Sequence, residues 1–421
     1  MAEENAVMKT KPVDGDLNAK TRALFDALHR ATGEFAMFGH QNETSNVIGD
    51  NTDSDVHAVT GSYPAVWGND LGGVELDHNH NLDGFGSESI RNEMLRAFNM
   101  GAVNTLSWHS ANPLTLGGYG HNMAEGTVKA VLPGGEAHEK FLSWLDRIAA
   151  ALTTITDANG EPIPIVFRPF HEHTGDWFWW CTGSPARPTD TTPEQFVALW
   201  RMTVEYLRDE KQVHNVLYAY SPDRSRIDMS SPESMEAGYL YAYPGDEYVD
   251  VLGFDDYWDI APAEQSAEDP QARHADLIAM LTLVGRLGEE RGKLAAATEV
   301  GSPGTFADSY TAKNDSSGSD STLPAAVLPD TALPDSPWTK YLLTAALAND
   351  RTRRALWYLP WRNDPDAAGT GAYGTPVEGS RYADDFRRFV RHDFMRLADT
   401  LPALYEQSHT GTAHGFFRCV A

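Results

Sequence analysis

Short apolar runs alternate along the chain with amphipathic stretches, and each apolar run turns polar at its C-terminal end. The run that starts at Ile163 changes at Arg168 to charged, imidazole, carboxyl and indole groups. A buried parallel strand shows this change where it leaves its sheet. Seven other segments behave in the same way: residues 35–42, 63–70, 102–109, 213–223, 248–257, 293–301 and 355–362. The pattern predicts eight strands that gather polar groups at one end.

Helical spacing of apolar positions separates several of these runs. Amphipathic helices are predicted over residues 17–32, 90–100, 193–210, 272–291 and 339–349, and Ser89 is placed to cap the second of them. Eight βα units predict an α/β fold, a (β/α)8 TIM barrel whose site lies at the C-terminal ends of the strands. A doubly wound sheet fits less well, because residues 39–42 after the first strand do not form a glycine-rich phosphate turn.

The sequence predicts one domain over residues 1–421, since no long linker divides it. Extended βα loops are expected to form a cleft on the functional face. Residues 312–336, rich in Ser, Asp, Gly and Pro, are predicted to be one such loop. Residues 77–88 follow the second strand and space their oxygen ligands partly as a calcium loop does, but Leu82 stands where glycine is required. We expect this loop to form a wall of the cleft, and calcium binding is left open.

Composition limits the partners. The chain has 60 acidic and 33 basic residues and a formal charge of −27, which disfavours nucleic acid and anionic membranes. No apolar run reaches membrane-spanning length, and the first residues lack the regions of a secretory signal. Cys181 and Cys419 are not spaced as metal ligands and leave one disulfide or two thiols as alternatives. A neutral or cationic partner and a monomeric protein are expected.

Two glutamates lie at facing points of the predicted barrel mouth. Glu172 follows the fourth strand and Glu299 ends the seventh, and in a barrel of eight these strand ends face each other. Glycoside hydrolysis needs such a pair, because a neutral acid must protonate the leaving oxygen while an anion stabilises positive charge at the anomeric carbon. The aromatic run at 177–180 could bind a sugar, with a role in the core as the alternative reading. The pair is therefore a candidate catalytic site.

Several motifs occur in order between residues 35 and 362. They are RPFHE at 168–172, GDWFWW at 175–180, GHQ at 39–41, SWH at 107–109, YPGDEYVD at 243–250, GFDDY at 253–257, TEVG at 298–301 and WR at 361–362. Together they resemble the motifs of glycoside hydrolase family 26, the β-mannanases. The resemblance implies a retaining endo-β-1,4-mannanase that acts on mannan, glucomannan or galactomannan, without a cofactor or metal. It assigns Glu172 as general acid/base and Glu299 as nucleophile.

The resemblance also implies roles around the two acids. Tyr257 and Arg168 would keep Glu299 ionised. His171 and the indole of Trp177 would lie against Glu172 and favour its neutral form.

Further residues would form sugar subsites by the same resemblance. His109 would contact the sugar at the cleavage point, Trp361 would lie under that sugar, and Arg362 would reach the next sugar on the non-reducing side. One departure is His173-Thr174, where many members of that family have Met-Asn. A titratable His173 would affect the leaving-group side.

Other substrates and functions stay open. A β-1,3-xylanase, a mixed-linkage β-1,3-1,4-glucanase or a mannobiose-releasing exo-acting mannanase would use the same glutamates, because loops decide between them. A metal-dependent hydrolase is a different class, and so is a carbohydrate-binding protein without catalysis. The first is suggested by histidines at strand ends: His40, His109, His171 and His173. Because a polysaccharide does not enter a cell, we expect a secreted or periplasmic protein.

Overall fold

Eight parallel strands close into a barrel. The structure, a computed structural model, describes residues 10–48, 51–118, 120–257, 259, 270–301, 336–363, 374–380 and 382–406. The strands are β1 (Ala36–Gln41), β2 (Val66–Asp70), β3 (Val103–Trp108), β4 (Ile165–Pro169), β5 (Val216–Tyr220), β6 (Val251–Leu252, then Asp255–Asp256), β7 (Leu294–Val300) and β8 (Ala355–Pro360). Neighbours follow chain order, and β8 pairs with both β7 and β1. The predicted (β/α)8 barrel is confirmed.

The sixth strand differs from the continuous run predicted over 248–257. Val251–Leu252 pairs with β5 and β7, whereas Asp255–Asp256 pairs with β7 in the register Glu299↔Asp255. The two pieces are separated at Gly253, where a Cβ atom would lie 2.5 Å from the side chain of Thr298. This close approach requires glycine. The second piece therefore places Asp255 directly beside Glu299.

Helices surround the barrel. They are α1 (Ala19–Ala31), α2 (Asp55–Thr60), α3 (Ser87–Asn99), α4 (Thr127–Val131), α5 (His138–Thr154), α6 (Pro193–Glu205), α7 (Pro232–Tyr239), α8 (Pro270–Arg291), α9 (Thr344–Ala346) and α10 (Ala383–Val390). The predicted Ser89 cap is wrong, because α3 begins at Ser87 and Ser89 lies in its first turn. Two predicted helices contain π-helical turns, at Tyr206–Glu210 and Pro337–Leu343. The sequence patterns missed α5, which buries Phe141, Trp144 and Leu145.

Helix α1 covers the N-terminal end of the barrel. Its buried residues Leu24 and Leu28 belong to one apolar cluster with Met37, Val66 and Val166 of the strands. Asn18 caps the helix by accepting a hydrogen bond from the Thr21 amide at 2.9 Å. Apolar packing at this end leaves the C-terminal strand ends as the polar, functional face.

Some expectations fall on residues outside this description. Within the predicted loop 312–336, only Ser336 is described, and Cys419 is not. Cys181 is buried and has no disulfide partner among the described residues. No helix in the described part of the chain is both long and apolar enough to cross a membrane.

Candidate active site

Glu172 lies on a strained turn just after β4. Phe170 and Glu172 have φ angles of 50° and 53°, a left-handed conformation that costs a non-glycine residue about 1–2 kcal/mol. The turn is held from two sides. The Glu172 amide donates to the Ser221 carbonyl at 2.7 Å, and the Trp180 indole donates to the His171 carbonyl at 2.7 Å. Strain of this kind concentrates at functional sites.

The Glu172 carboxyl is buried in an environment that favours its neutral form. Burial raises its pKa well above the usual value, and the negative charges of Asp223, Glu299 and Asp255 raise it further. The Trp177 indole opposes this by donating to Glu172 Oε2 at 2.7 Å. Gly175 makes that approach possible, since a Cβ atom there would lie 2.5 Å from the Trp177 ring. The surroundings of Glu172 therefore favour its protonated form, as a proton donor requires.

Glu299 has the opposite environment. Arg168 donates to Glu299 Oε1, and the Tyr257 hydroxyl donates to Glu299 Oε2 at 2.5 Å. The same guanidinium pairs with Asp255 Oδ2 at 2.8 Å. Burial lowers the pKa of Arg168, but the charges of Asp255 and Glu299 outweigh burial and raise it, so the cation is retained. Charge-assisted donors on both oxygens stabilise Glu299 as an anion.

The two glutamates lie across one small gap. One carboxylate oxygen each of Glu172, Asp255 and Glu299 falls within 4.8 Å of the others. Retaining glycosidases separate their carboxyl groups by about 5–5.5 Å, whereas inverting ones leave about 6.5–9.5 Å for a water molecule. Residues 127 positions apart in sequence are thus brought closer together than the wide gap of the inverting class, as the retaining class requires.

Three neighbouring carboxylates could also hold a cation. The group is Glu172, Asp255 and Glu299, and Arg168 already bonds two of its members. A guanidinium thus provides the positive charge that a metal would otherwise supply. None of the four strand-end histidines belongs to this group. Two of the three carboxylates are therefore paired with Arg168, and the third, Glu172, accepts a hydrogen bond from the indole of Trp177.

His109 and His171 contact each other. Their Nε2 atoms lie 3.0 Å apart, and His109 Nδ1 lies 2.7 Å from Asp70 Oδ2. The sequence predicts that His171 lies against Glu172, but the contacts of its ring are with His109, Phe178 and Trp180. His171 is only 1% exposed. It supports the site from below the surface.

The expected sugar-binding residues Trp361 and Arg362 follow β8. The Trp361 ring lies 5.8 Å from the His109 ring, so these two side chains form one surface. Arg362 Nε pairs at 3.0 Å with Asp83 Oδ1, whose side chain is 1% exposed. Asp83 belongs to the loop 77–88, which therefore reaches the site on the side of Arg362. Calcium binding by this loop stays open.

The comparisons with known proteins agree with this arrangement. Residues 13–317 match the model of glycosyl hydrolase family 26. The chain belongs to this family. It is 34% identical to a mannan endo-1,4-beta-mannosidase of Bifidobacterium adolescentis over 372 aligned residues. The alignment covers 86% of this chain and 34% of that protein. The chain thus spans about a third of the length of that curated relative.

Solved structures of the family superpose on the barrel. A GH26 beta-mannanase from Bacteroides ovatus has 33% identity and a TM-score of 0.76, covering 94% of this chain and all of that one. A modular endo-beta-1,4-mannanase from Cellulomonas fimi has 31% identity and the same TM-score, covering 95% of this chain and 80% of that one. The fold and the family are therefore shown over nearly the whole chain.

His173, the departure from the common pattern of family 26, does not titrate near neutral pH. Its Nε2 hydrogen-bonds the Tyr241 carbonyl at 2.8 Å, and its ring stacks on Phe196 at 4.4 Å. Burial lowers its pKa to about 4. The predicted effect of a charged His173 on the leaving-group side is therefore wrong, because His173 is fully buried and its low pKa keeps it neutral.

Sequence reasoning missed three residues of this family 26 site. Asp70 and Asp255 were visible only as polar ends of strands, and nothing indicated that one would bind His109 and the other Arg168. Arg226 gave no signal. Its guanidinium lies 5.4 Å above the Trp177 ring and donates to Asp176 at 2.8 Å. It extends the surface beside Glu172.

Trp177→Phe is expected to move the alkaline limb of kcat to higher pH by about one unit. The indole hydrogen bond favours ionised Glu172, so its loss raises the pKa of that carboxyl and keeps it protonated to higher pH. The measurement is kcat against pH on a soluble polysaccharide. Trp179→Phe is the matched control, because this indole on the same loop donates to Ser110 Oγ at 3.3 Å. An alkaline limb that stays in place in the Trp177 variant would contradict the role.

Proposed function

We propose that the protein is a retaining endo-β-1,4-mannanase that acts on mannan, glucomannan or galactomannan. The observation that carries the proposal is the pair of carboxyls within 4.8 Å, one in an environment that favours the acid and the other ion-paired. The relatives from Bifidobacterium adolescentis and Cellulomonas fimi, both described as β-1,4-mannanases, support the choice of substrate.

The reaction would proceed by two displacements. Glu299 attacks the anomeric carbon as Glu172 gives its proton to the glycosidic oxygen, so the carbon–oxygen bond breaks and a glycosyl ester forms. Glu172, now ionised, then takes a proton from water while the water oxygen attacks the same carbon. Glu299 leaves as carboxylate and Glu172 regains its proton. Two inversions give net retention of configuration.

The charges change in the order that this mechanism needs. When Glu299 becomes an ester it loses its negative charge, which removes one of the anions that hold Glu172 neutral. The pKa of Glu172 therefore falls as the intermediate forms, and Glu172 becomes a better base for the second step. Asp255 and Arg168 remain as a neutral ion pair beside the ester.

Activity on three polysaccharides tests the substrate. Reducing-sugar release should be rapid on mannan and at least about 10-fold slower on β-1,3-xylan and lichenan, since a changed sugar epimer or linkage leaves site hydrogen bonds unpaired. Glu299→Ala is the blank for each substrate. Activity on lichenan or xylan without activity on mannan would select the xylanase or glucanase alternative.

The mode of cleavage needs a separate measurement. On soluble galactomannan an endo-acting enzyme should lower the viscosity early, when few reducing ends have appeared. Steady release of mannobiose with little change in viscosity would identify the exo-acting alternative. The arrangement of loop 77–88 beside Arg362 makes both outcomes informative, because a closed end at this side would force release of short products.

We further propose that the protein acts outside the cytoplasm, because its polymeric substrate does not cross a membrane. We also propose that it is a monomer. Cell fractionation with an activity assay tests the location, and light scattering of the purified chain tests the oligomeric state.

A further inference from the structure

We propose that Asp70, His109 and His171 form a positioning relay, in which His109 joins the carboxylate of Asp70 to the ring of His171 and so holds the turn that bears Glu172. The inference rests on the proposed function for its effect on turnover, but its proton states can be measured without substrate. In this relay His109 and His171 orient Glu172 and do not react themselves. Asp70 orients His109 and is thus a further positioning residue of the site.

The relay begins at a buried carboxylate. Asp70 is fully buried at the end of β2 and accepts hydrogen bonds from the Gly72 amide at 2.6 Å and the Ser107 hydroxyl at 2.7 Å. It also lies 2.7 Å from His109 Nδ1. Burial raises the pKa of Asp70, but His109, Ser107 and the Gly72 amide outweigh burial and the pKa falls below its usual value. Asp70 is therefore an anion that only accepts.

The middle of the relay is the contact between two imidazoles. Because the Nε2 atoms of His109 and His171 lie 3.0 Å apart, one of them must carry a proton and the other must accept it. His171 is fully buried, and burial followed by the charges of His109 and Arg168 lowers its pKa well below the usual range. For His109, burial lowers the pKa, but Asp70 and Glu299 outweigh it and raise the pKa above 6.5. His109 is therefore the donor in mildly acid solution.

Other charged groups face His109 besides Asp70 and His171. They are Asp83, Arg168 and Glu299. Two of these three are acids and one is a base, so the surroundings do not reverse the preference for protonated His109. Above the pKa of His109 the imidazolium loses its Nε2 proton, and the contact persists only if His171 changes tautomer and donates from its own Nε2.

Both nitrogens of His109 are thereby occupied. Nδ1 donates to Asp70 and Nε2 bonds His171, which leaves the ring edge, and no hydrogen-bonding atom, for a sugar. His171 in turn stands between the left-handed residues Phe170 and Glu172. The His171 ring is fixed by His109, and its carbonyl is fixed by the Trp180 indole. Together these two bonds keep the strained turn in one conformation. The relay thus controls the direction of the Glu172 carboxyl.

Asp70→Asn tests the relay. The charge is removed while the shape is kept, so the pKa of His109 should fall by about 1–3 units, the effect of one adjacent opposite charge. With the turn loosened, kcat at pH 6 should fall about 10- to 100-fold, the size of the loss when the orienting partner of a metal-bound histidine is removed. KM should change less than about 2-fold, because no sugar hydrogen bond is lost. Asp250→Asn is the matched control, a buried aspartate at the opposite end of the barrel.

Nitrogen NMR of the histidine side chains provides the readout that does not depend on activity. In the unmodified protein at pH 6, His109 should show two protonated nitrogens and His171 one, on Nδ1. As pH rises through the pKa of His109, the His171 proton should move to Nε2. A neutral His109 at pH 6, or a titration unchanged in the Asn variant, would overturn the relay even if the variant is inactive. If the protein hydrolyses none of the three polysaccharides, the NMR titration still decides the relay, so the two proposals fail separately.

Discussion

Glu299→Ala is expected to reduce kcat on mannan by about 10⁴-fold or more, the loss seen when a covalent nucleophile is removed. Without the carboxylate no glycosyl ester forms, and the remaining site still binds the polysaccharide. Arg168 and Tyr257 lose their shared partner, and Arg168 retains Asp255. Binding should therefore persist in the folded variant. Turnover is measured as reducing-sugar release, and binding by calorimetry with a manno-oligosaccharide.

The control separates loss of the nucleophile from loss of a buried acid. Glu93→Ala removes a buried carboxyl that accepts from the Thr44 amide at 2.6 Å, outside the ion-paired group. It should lose stability and keep its rate at a temperature where it is folded. Azide added to the Glu299 variant should attack an activated glycoside in place of the missing carboxylate, giving a glycosyl azide of inverted configuration. Full turnover in the Glu299 variant would rule out its role as nucleophile.

The sequence predicted the parts of this site that depend on strand ends. An apolar run that turns polar marks where a buried strand emerges, and counting such runs placed Glu172 just after the fourth strand and Glu299 on the seventh. This works because the barrel fixes the order of its strands around the mouth.

The remaining features arise from contacts between distant residues. The left-handed turn at Phe170 and Glu172 has no local signal, because neither residue prefers that conformation, and it is held by contacts with Ser221 and with the 177–182 segment. The break in β6 required knowing that Gly253 meets Thr298. Likewise, the contact between His109 and His171 joins two strand ends whose side-chain directions a period-2 pattern does not specify beyond the strand itself.

Glu172→Ala is expected to show an effect that depends on the leaving group. On mannan, kcat should fall about 10²- to 10⁴-fold, the contribution of one general acid or base. On a mannobioside with a very acidic phenol as leaving group, the first step needs no proton, so the glycosyl ester should form at close to the normal rate and then accumulate. A burst of phenol followed by slow turnover measures this difference, and the alkaline limb caused by ionisation of Glu172 should be absent from the burst rate.

Comparison of the two glutamate variants tests which residue is the nucleophile and which is the acid/base. Azide should speed the slow step of the Glu172 variant and give a glycosyl azide of retained configuration, because Glu299 still forms the ester and azide then displaces it. The Glu299 variant should show no burst on the same aryl mannobioside. If the burst appeared in the Glu299 variant and was absent from the Glu172 variant, the roles would be exchanged. Their different surroundings argue for the roles proposed, because only Glu172 is held neutral by burial and nearby anions, while Glu299 is bonded by Arg168 and Tyr257.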